Sequence, residues 1–217
     1  MTICYSFASR SRPDRFFEAV DNILSMSAQQ DHFIVAKLDE DDPAMNNEVI
    51  RTRLDSYPCI IQRWGLSKSK IHAINRDLDN LPPWDILVCM SDDMRFTTKG
   101  YDDMIRKHMP ADLDGFVHLQ DDYAKDRVCT MSILGRTYYQ RDGYIYHEGY
   151  YSMWCDDEET GKAKIRGKYI LVPGIHIEHL HYTNKAKAKK DELYWRNDTY
   201  RKDEQIFLQR KAINFGL

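Results

Sequence analysis

The sequence predicts an α/β fold with a mostly parallel central sheet flanked by helices, and three observations carry that expectation. Short apolar runs alternate with segments of helical periodicity through the front half of the chain. One run, Ile86 to Met90, is apolar at all five positions, the pattern of a strand buried on both faces. Acids follow two of the runs at once, as Asp39-Glu40-Asp41-Asp42 and as Asp92-Asp93. In open α/β sheets, ligands bind outside the carboxyl ends of the strands, so these acids stand where a site is expected.

Taken in order, Thr2 to Ala8 reads as a first strand. Pro13 then sits at a helix start, and Phe16, Phe17, Val20, Ile23 and Leu24 recur at helical spacing. His32 to Leu38 is a second strand and Cys59 to Gln62 a short third. Ser67 or Ser69 caps a helix carrying Ile71, Ile74 and Leu78. The fourth strand is Ile86 to Met90, and Gly100 to His108 is a helix. Alternation of this kind requires right-handed crossovers between parallel strands.

The back half changes character. Gly115 to Gln120 and Val128 to Leu134 read as strands. Tyr138 to Tyr151 is rich in tyrosine and glycine, with Asp142-Gly143 as a turn signal. Tyr169 to Val172 is another short strand, and Lys185 to Lys190 a basic run. Asp203 to Ile213 is a final helix with Ile206, Phe207 and Ile213 as its apolar positions. The expected organisation is one domain over residues 1–217, with a nucleotide-binding front (1–110) and a more specialised back (111–217).

Bulk properties exclude several classes. The 217 residues suffice for one good-sized core, with 30% charged and 42% hydrophobic residues. A net charge of −3 favours neither nucleic acid nor an anionic membrane. No apolar stretch approaches the roughly 20 residues that span a bilayer. The opening Met1 to Phe7 lacks the basic start and apolar core of a signal peptide. Five scattered cysteines, none in a C-x-x-C pair, argue against structural zinc and read as reduced thiols, hence an expected cytoplasmic setting.

Adjacent carboxylates repel unless something positive sits beside them, and a divalent metal carrying phosphate oxygens is one solution for Asp92-Asp93. The alternative is a solvated acidic turn. His176-x-x-His179-x-His181 gathers three imidazoles in six residues. His179 and His181, two apart, point the same way if the segment is extended. A second acidic cluster, Asp156-Asp157-Glu158, follows an aromatic loop and also suits a helix N-terminus.

Four segments together resemble the A-type-fold glycosyltransferases, similar to the family 2 inverting enzymes. They are Ser6 to Pro13, with its basic loop; Lys37 to Asp42; Ser67 to Asn75 followed by Ser91-Asp92-Asp93; and Trp154 to Glu159 followed by His176, His179 and His181. The resemblance implies a single-domain A-type fold and a nucleotide-diphosphate sugar donor. It also implies a carbohydrate or lipid-linked carbohydrate acceptor and a Mn2+ or Mg2+ ion. It places Ser9, Arg10, Arg12, Asp39, Lys70 and Asp92 at the nucleotide, with Asp39 accepting from a pyrimidine N–H or a ribose hydroxyl. Asp93 is the implied metal ligand, with His179 or His181 completing the shell, and Asp156 or Asp157 the general base. One departure stands out: Ser91 replaces the first acid of the Asp-x-Asp element, so the ribose contact passes to Asp92 or the earlier acids.

Two rivals remain. A nucleotidyltransferase usually has a glycine-rich loop after its first strand, and Ala8 to Asp14 contains no glycine. A binding module without turnover is compatible with Ser91. Nucleic-acid binding through the short basic stretch is not expected in an acidic chain; a peripheral contact with an anionic lipid-linked acceptor fits it better.

Overall fold

The computed structural model describes residues 1–181, 192–193 and 199–217. The basic run at 185–190 lies outside the described residues. An eight-stranded mixed sheet runs through the molecule in the order β3-β2-β1-β4-β7-β6-β8-β5, and seven described helices flank it.

The first four strands are wholly parallel. β1 (Ile3–Ser9) pairs with β2 (His32–Asp39) on one side and β4 (Ile86–Met90) on the other, and β3 (Ile60–Gly65) pairs with β2. β4 is buried at every position, as an uninterrupted apolar run demands. α1 (Pro13–Met26) starts on proline, whose fixed φ suits a first helical position. It buries Phe16, Phe17, Ala19, Val20 and Ile23 against the sheet. Each large side chain so buried contributes about 1.5–3 kcal/mol. The helix ends at Ser27, whose N–H and hydroxyl both donate to the Ile23 carbonyl. α2 (Glu48–Asp55) is capped by Asn47, and α3 (Lys70–Asn75) by Ser69, one of the two serines expected to do so. α4 (Tyr101–His108) follows Gly100, which sits at φ 75°.

The back is mixed because one short antiparallel strand splits it. β7 (Ile133–Gly135) runs antiparallel to both β4 and β6 (Phe116–Asp121). The longer strand expected over Val128 to Leu134 is therefore mostly loop. Val128, Cys129 and Met131 are buried there without ladder pairing, and Thr130 is tied to Asp121 instead. The tyrosine-rich segment also differs. Asp142-Gly143 closes a helix, α5 (Arg136–Asp142), with Gly143 left-handed at its C-terminus, rather than forming a hairpin turn.

β8 (Tyr169–His179) is much longer than the expected Tyr169 to Val172. It pairs parallel with β6 up to Leu119↔Val172, then resumes at Gln120↔His176. Pro173, Gly174 and Ile175 form the intervening bulge, where Pro173 cannot donate to a ladder and Gly174 takes φ 78°. β5 (Met94–Phe96), a product of the front half, lies at the far edge of the sheet, antiparallel to β8. α6 (Cys155–Ile165) and α7 (Tyr200–Ala212) pack over the back. Phe207 is buried on α7, whereas Ile213 lies just past its end and is exposed, against expectation. No described helix is long and apolar enough to cross a membrane.

Candidate active site

A cavity of about 470 Å³ opens at the carboxyl ends of β1, β2 and β4 and is lined by Ser9, Arg10, Arg12, Asp39, Lys70, Asp92, Asp93, Asp156, Asp157, His179 and His181. All eleven residues singled out in the sequence thus face one space. Their roles within it divide.

At the end of β4, Ser91 to Met94 make a tight turn closed by the Met94 N–H on the Ser91 carbonyl. The turn sends the two carboxylates apart. Asp92 turns back toward β1, accepting from Ser9 Oγ at 3.0 Å and Arg12 Nη1 at 3.0 Å. Burial and the neighbouring Asp93 charge push its carboxyl up. Asp93 turns the other way, accepting from Ser91 Oγ at 2.6 Å and standing 3.6 Å from His179 Nε2. Burial opposes its ionisation, yet the His179 hydrogen bond and charge, Ser91 and Lys70 hold it well below the carboxylate range.

Strand register explains why Asp93 meets His179. Met94 pairs directly with His179 and the Leu180 N–H donates to the Asp93 carbonyl, so the turn that carries Asp93 lies beside the imidazole. Asp121 pairs with Ile177, and His179 lies two residues further along the same face. Asp121 Oδ2 therefore reaches His179 Nδ1 at 3.2 Å. Burial lowers the basicity of His179, but Asp121 and Asp93 more than offset it and raise its pKa to about 9. Asp121 is in turn lowered to about 2: burial raises it, and the bonds from His179, Thr130 and the Ala124 N–H prevail. His181 lies beside His179, with ring centroids 5.5 Å apart, and burial with the His179 charge lowers it to about 4. His176 faces solvent.

Among the described residues, no three or more His, Cys, Asp or Glu side chains gather in metal-holding geometry. The donor set still fits a divalent ion completed by phosphate oxygens. A carboxylate and an imidazole nitrogen face each other at 3.6 Å, a gap that two bonds of roughly 2.0–2.2 Å span.

At the end of β2, Arg10 Nη1 donates to Asp39 Oδ2 at 2.8 Å and to Asp41 at 2.6 Å. Asp39 is 6% exposed and its Oδ1 lacks a hydrogen-bond partner among the described residues, with Arg76 Nη2 at 3.7 Å. Asp42 is spent on the turn, accepting from the Ser11 and Ala44 N–H groups. Lys37 lies buried below, its Nζ on Ser6 Oγ at 2.8 Å and the Ile74 carbonyl at 2.5 Å, and burial lowers its pKa to about 7.

The far wall is the start of α6. Trp154 caps it at φ 65° and stacks on Phe207, with Tyr200 tilted against it; its indole N–H is buried with no partner among the described residues. Asp203 holds the approach by accepting from the N–H groups of Tyr151, Ser152 and Met153. Asp156 Oδ1 accepts from the Asp157 N–H at 3.1 Å; burial raises its pKa against the pull of Lys70. Asp157 faces Arg127 at 3.4 Å, and burial plus the Asp156 charge raise it to about 6. Glu158 points away, bound to Tyr150 and Arg210. From the aromatic loop before α6, Tyr146, Tyr151 and Trp154 line the cavity. Sequence reasoning missed Asp121, Thr130, Arg76, Lys37 and Arg127. Asp121 carried a usable signal, an acid directly after the strand expected over Gly115 to Gln120.

The architecture matches solved structures. A mannosyltransferase, PcManGT from Pyrobaculum calidifontis in complex with GDP-Man and Mn2+, superposes with TM-score 0.70 at 16% identity, covering 89% of this chain and 59% of that one. TarS of S. aureus in complex with UDP gives TM-score 0.61 at 10% identity, covering 100% and 72%. A Drosophila β-1,4-galactosyltransferase 7 mutant with manganese, UDP-Gal and xylobiose gives 0.54 at 12%, covering 92% and 80%. The fold is the glycosyltransferase A type. The chain spans about 59% of the length of PcManGT. No protein-family model and no curated protein matches it. On the A-type fold, the Ser91-Asp92-Asp93 turn at the end of β4 and the start of α6 line the same cavity.

Proposed function

We propose that the chain transfers a sugar from a nucleotide-diphosphate donor to an acceptor hydroxyl, with inversion and with a bound Mn2+ or Mg2+. One observation carries this reading: a carboxylate–imidazole pair 3.6 Å apart and the Asp156 carboxylate line one cavity on an A-type fold. The fold's solved neighbours include proteins bound to GDP-Man with Mn2+ and to UDP-Gal with manganese.

In this reading Asp93 and His179 hold the metal, with His181 beside them. The ion would neutralise charge on the departing diphosphate. Asp39 presents its open Oδ1 to a base N–H or a ribose hydroxyl, with Arg10 and Arg76 fixing its orientation. Ser9 and Arg12 position the nucleotide loop through Asp92, so the ribose role falls to Asp39 rather than Asp92. Lys70 adds positive charge between Asp93 and Asp156. Asp156 is the general base: both acids line the cavity with raised pKa values, but Asp157 is paired with Arg127 and Asp156 is not engaged by a cation at that distance among the described residues. Tyr151 and Trp154 offer faces for the acceptor sugar, which is free or lipid-linked. A lipid-linked acceptor would bring the chain to a membrane surface without any spanning segment.

The test is calorimetry of UDP, GDP and their sugars with and without Mn2+, followed by proton NMR of the product's anomeric configuration. Metal-dependent binding and an inverted product are expected. A retained configuration, or binding indifferent to metal, overturns the reading. The binding-module alternative draws on Ser91, which occupies an acid's place and bonds Asp93; tight donor binding with no transfer and no donor hydrolysis would favour it.

A further inference from the structure

We propose that Asp121 is a positioning residue that aims His179 Nε2 at the metal position and, with the same carboxylate, fixes the loop that walls the acceptor side. The inference rests on the reading of Asp93 and His179 as metal holders. The Asp121 side chain is fully buried at the end of β6. Its Oδ1 accepts from the backbone N–H groups of Tyr123 at 2.9 Å, Ala124, and Lys125 at 3.3 Å. Its Oδ2 accepts from Thr130 Oγ1 at 2.8 Å and from His179 Nδ1 at 3.2 Å. One oxygen thus ties the near end of the loop, and the other ties its far end to the imidazole.

The chemistry follows from the two ring nitrogens. A carboxylate at Nδ1 accepts a proton there, so a neutral imidazole carries its lone pair on Nε2, the atom facing Asp93. The loop between these anchors carries Tyr123 and Arg127 into the cavity, and Arg127 faces Asp157 at 3.4 Å. A single carboxylate therefore joins the metal side to the acceptor side. The β8 bulge is what makes the junction possible. Without the three inserted residues, the pairing that runs through Leu119↔Val172 would carry on to set Asp121 opposite Gly174 rather than Ile177.

Asp121→Asn separates the two duties. Its amide oxygen still accepts from the three loop N–H groups. Its NH2 cannot accept from Nδ1, so the imidazole must turn a lone pair toward it and carry its proton on Nε2. Asp121→Ala removes both duties. Mn2+ affinity, alone and with UDP or GDP, is measured by electron paramagnetic resonance on the full chain. Amide hydrogen exchange at residues 123–125 is measured on the metal-free protein. Asp121→Asn is expected to weaken Mn2+ binding by about ten- to a hundredfold while leaving those exchange rates within about twofold of wild type. Asp121→Ala is expected to weaken Mn2+ equally and to speed exchange at least tenfold. His179→Ala is expected to weaken Mn2+ without touching exchange. Unchanged Mn2+ affinity in Asp121→Asn, with loss in His179→Ala, overturns the positioning role. Exchange that accelerates as much in Asp121→Asn as in Asp121→Ala also overturns it, because the effect is then loop collapse. If neither Asp93→Asn nor His179→Ala weakens Mn2+, the metal reading itself fails.

Discussion

Asp92 and Asp93 are neighbours in sequence with opposite duties, and the turn between them decides which is which. Asp93→Asn removes a charge that Ser91 and His179 both address, while leaving a side chain that still accepts the Ser91 hydroxyl. Metal-dependent nucleotide affinity measured by calorimetry is expected to drop at least tenfold, with the melting temperature little changed. Asp156→Asn is expected to cut turnover by about 10²–10⁴-fold and leave donor affinity nearly intact, because a base acts mainly in the transition state. Asp157→Asn should cost far less. The raised pKa of Asp156 means that its protonated form persists to higher pH than in an ordinary aspartate. Turnover should therefore climb with pH along a limb lying above the usual carboxylate range, and the limb should vanish in Asp156→Asn. Sequence spacing found these acids but not their division of labour. Nothing in the run Ser91-Asp92-Asp93 says that Ser9 and Arg12 engage one carboxylate and His179 the other.

At the scale of elements, the parallel front was legible because strict apolar runs and helical spacing fix strands and helices locally. β4 was read to its last residue. The back was not, because long-range contacts decide its elements. β7 is three residues long, and its neighbours on both sides set it rather than any local pattern. The sequence pattern ends this strand at Val172; Pro173 follows, a residue that demotes a strand on local grounds, yet β8 absorbs it in a bulge. His179 was found, but the strand that delivers it was not. β7 also depends on a missing side chain. A Cβ on Gly135 would stand 2.1 Å from the Leu113 carbonyl oxygen and 2.8 Å from Met109 Sδ. Gly135→Ala must push backbone apart at the seam between the two halves of the sheet. A loss of about 1–3 kcal/mol is expected from the urea midpoint, typical of overpacking.

Across the whole molecule, the Asp93–His179–Asp121 junction links stability to pH. The folded pKa of His179, about 9, lies above its ordinary 6.5. The protonated imidazole between two carboxylates therefore stabilises the metal-free protein fully below about pH 6.5, and that contribution is lost as pH rises through about 9. The expected loss is on the order of 2–3 kcal/mol. Urea midpoints at the two ends of this window should diverge in wild type and converge in His179→Gln. Bound Mn2+ should reverse the trend, since the ligand form of the ring is neutral.

The placing of the tryptophans gives the molecule an optical reporter. Trp84 is buried in the core, and Trp64 donates its indole N–H to Gln62 on β3. Trp154 lines the cavity, and its indole N–H has no acceptor among the described residues; Trp195 lies outside them. Indole emission shifts when that group gains a hydrogen bond or its surroundings lose water. Filling the cavity should therefore change the intrinsic fluorescence through Trp154, and Trp154→Phe should silence most of the change. Titration of unlabelled sugars and nucleotides can then be followed by light alone, before any acceptor is known.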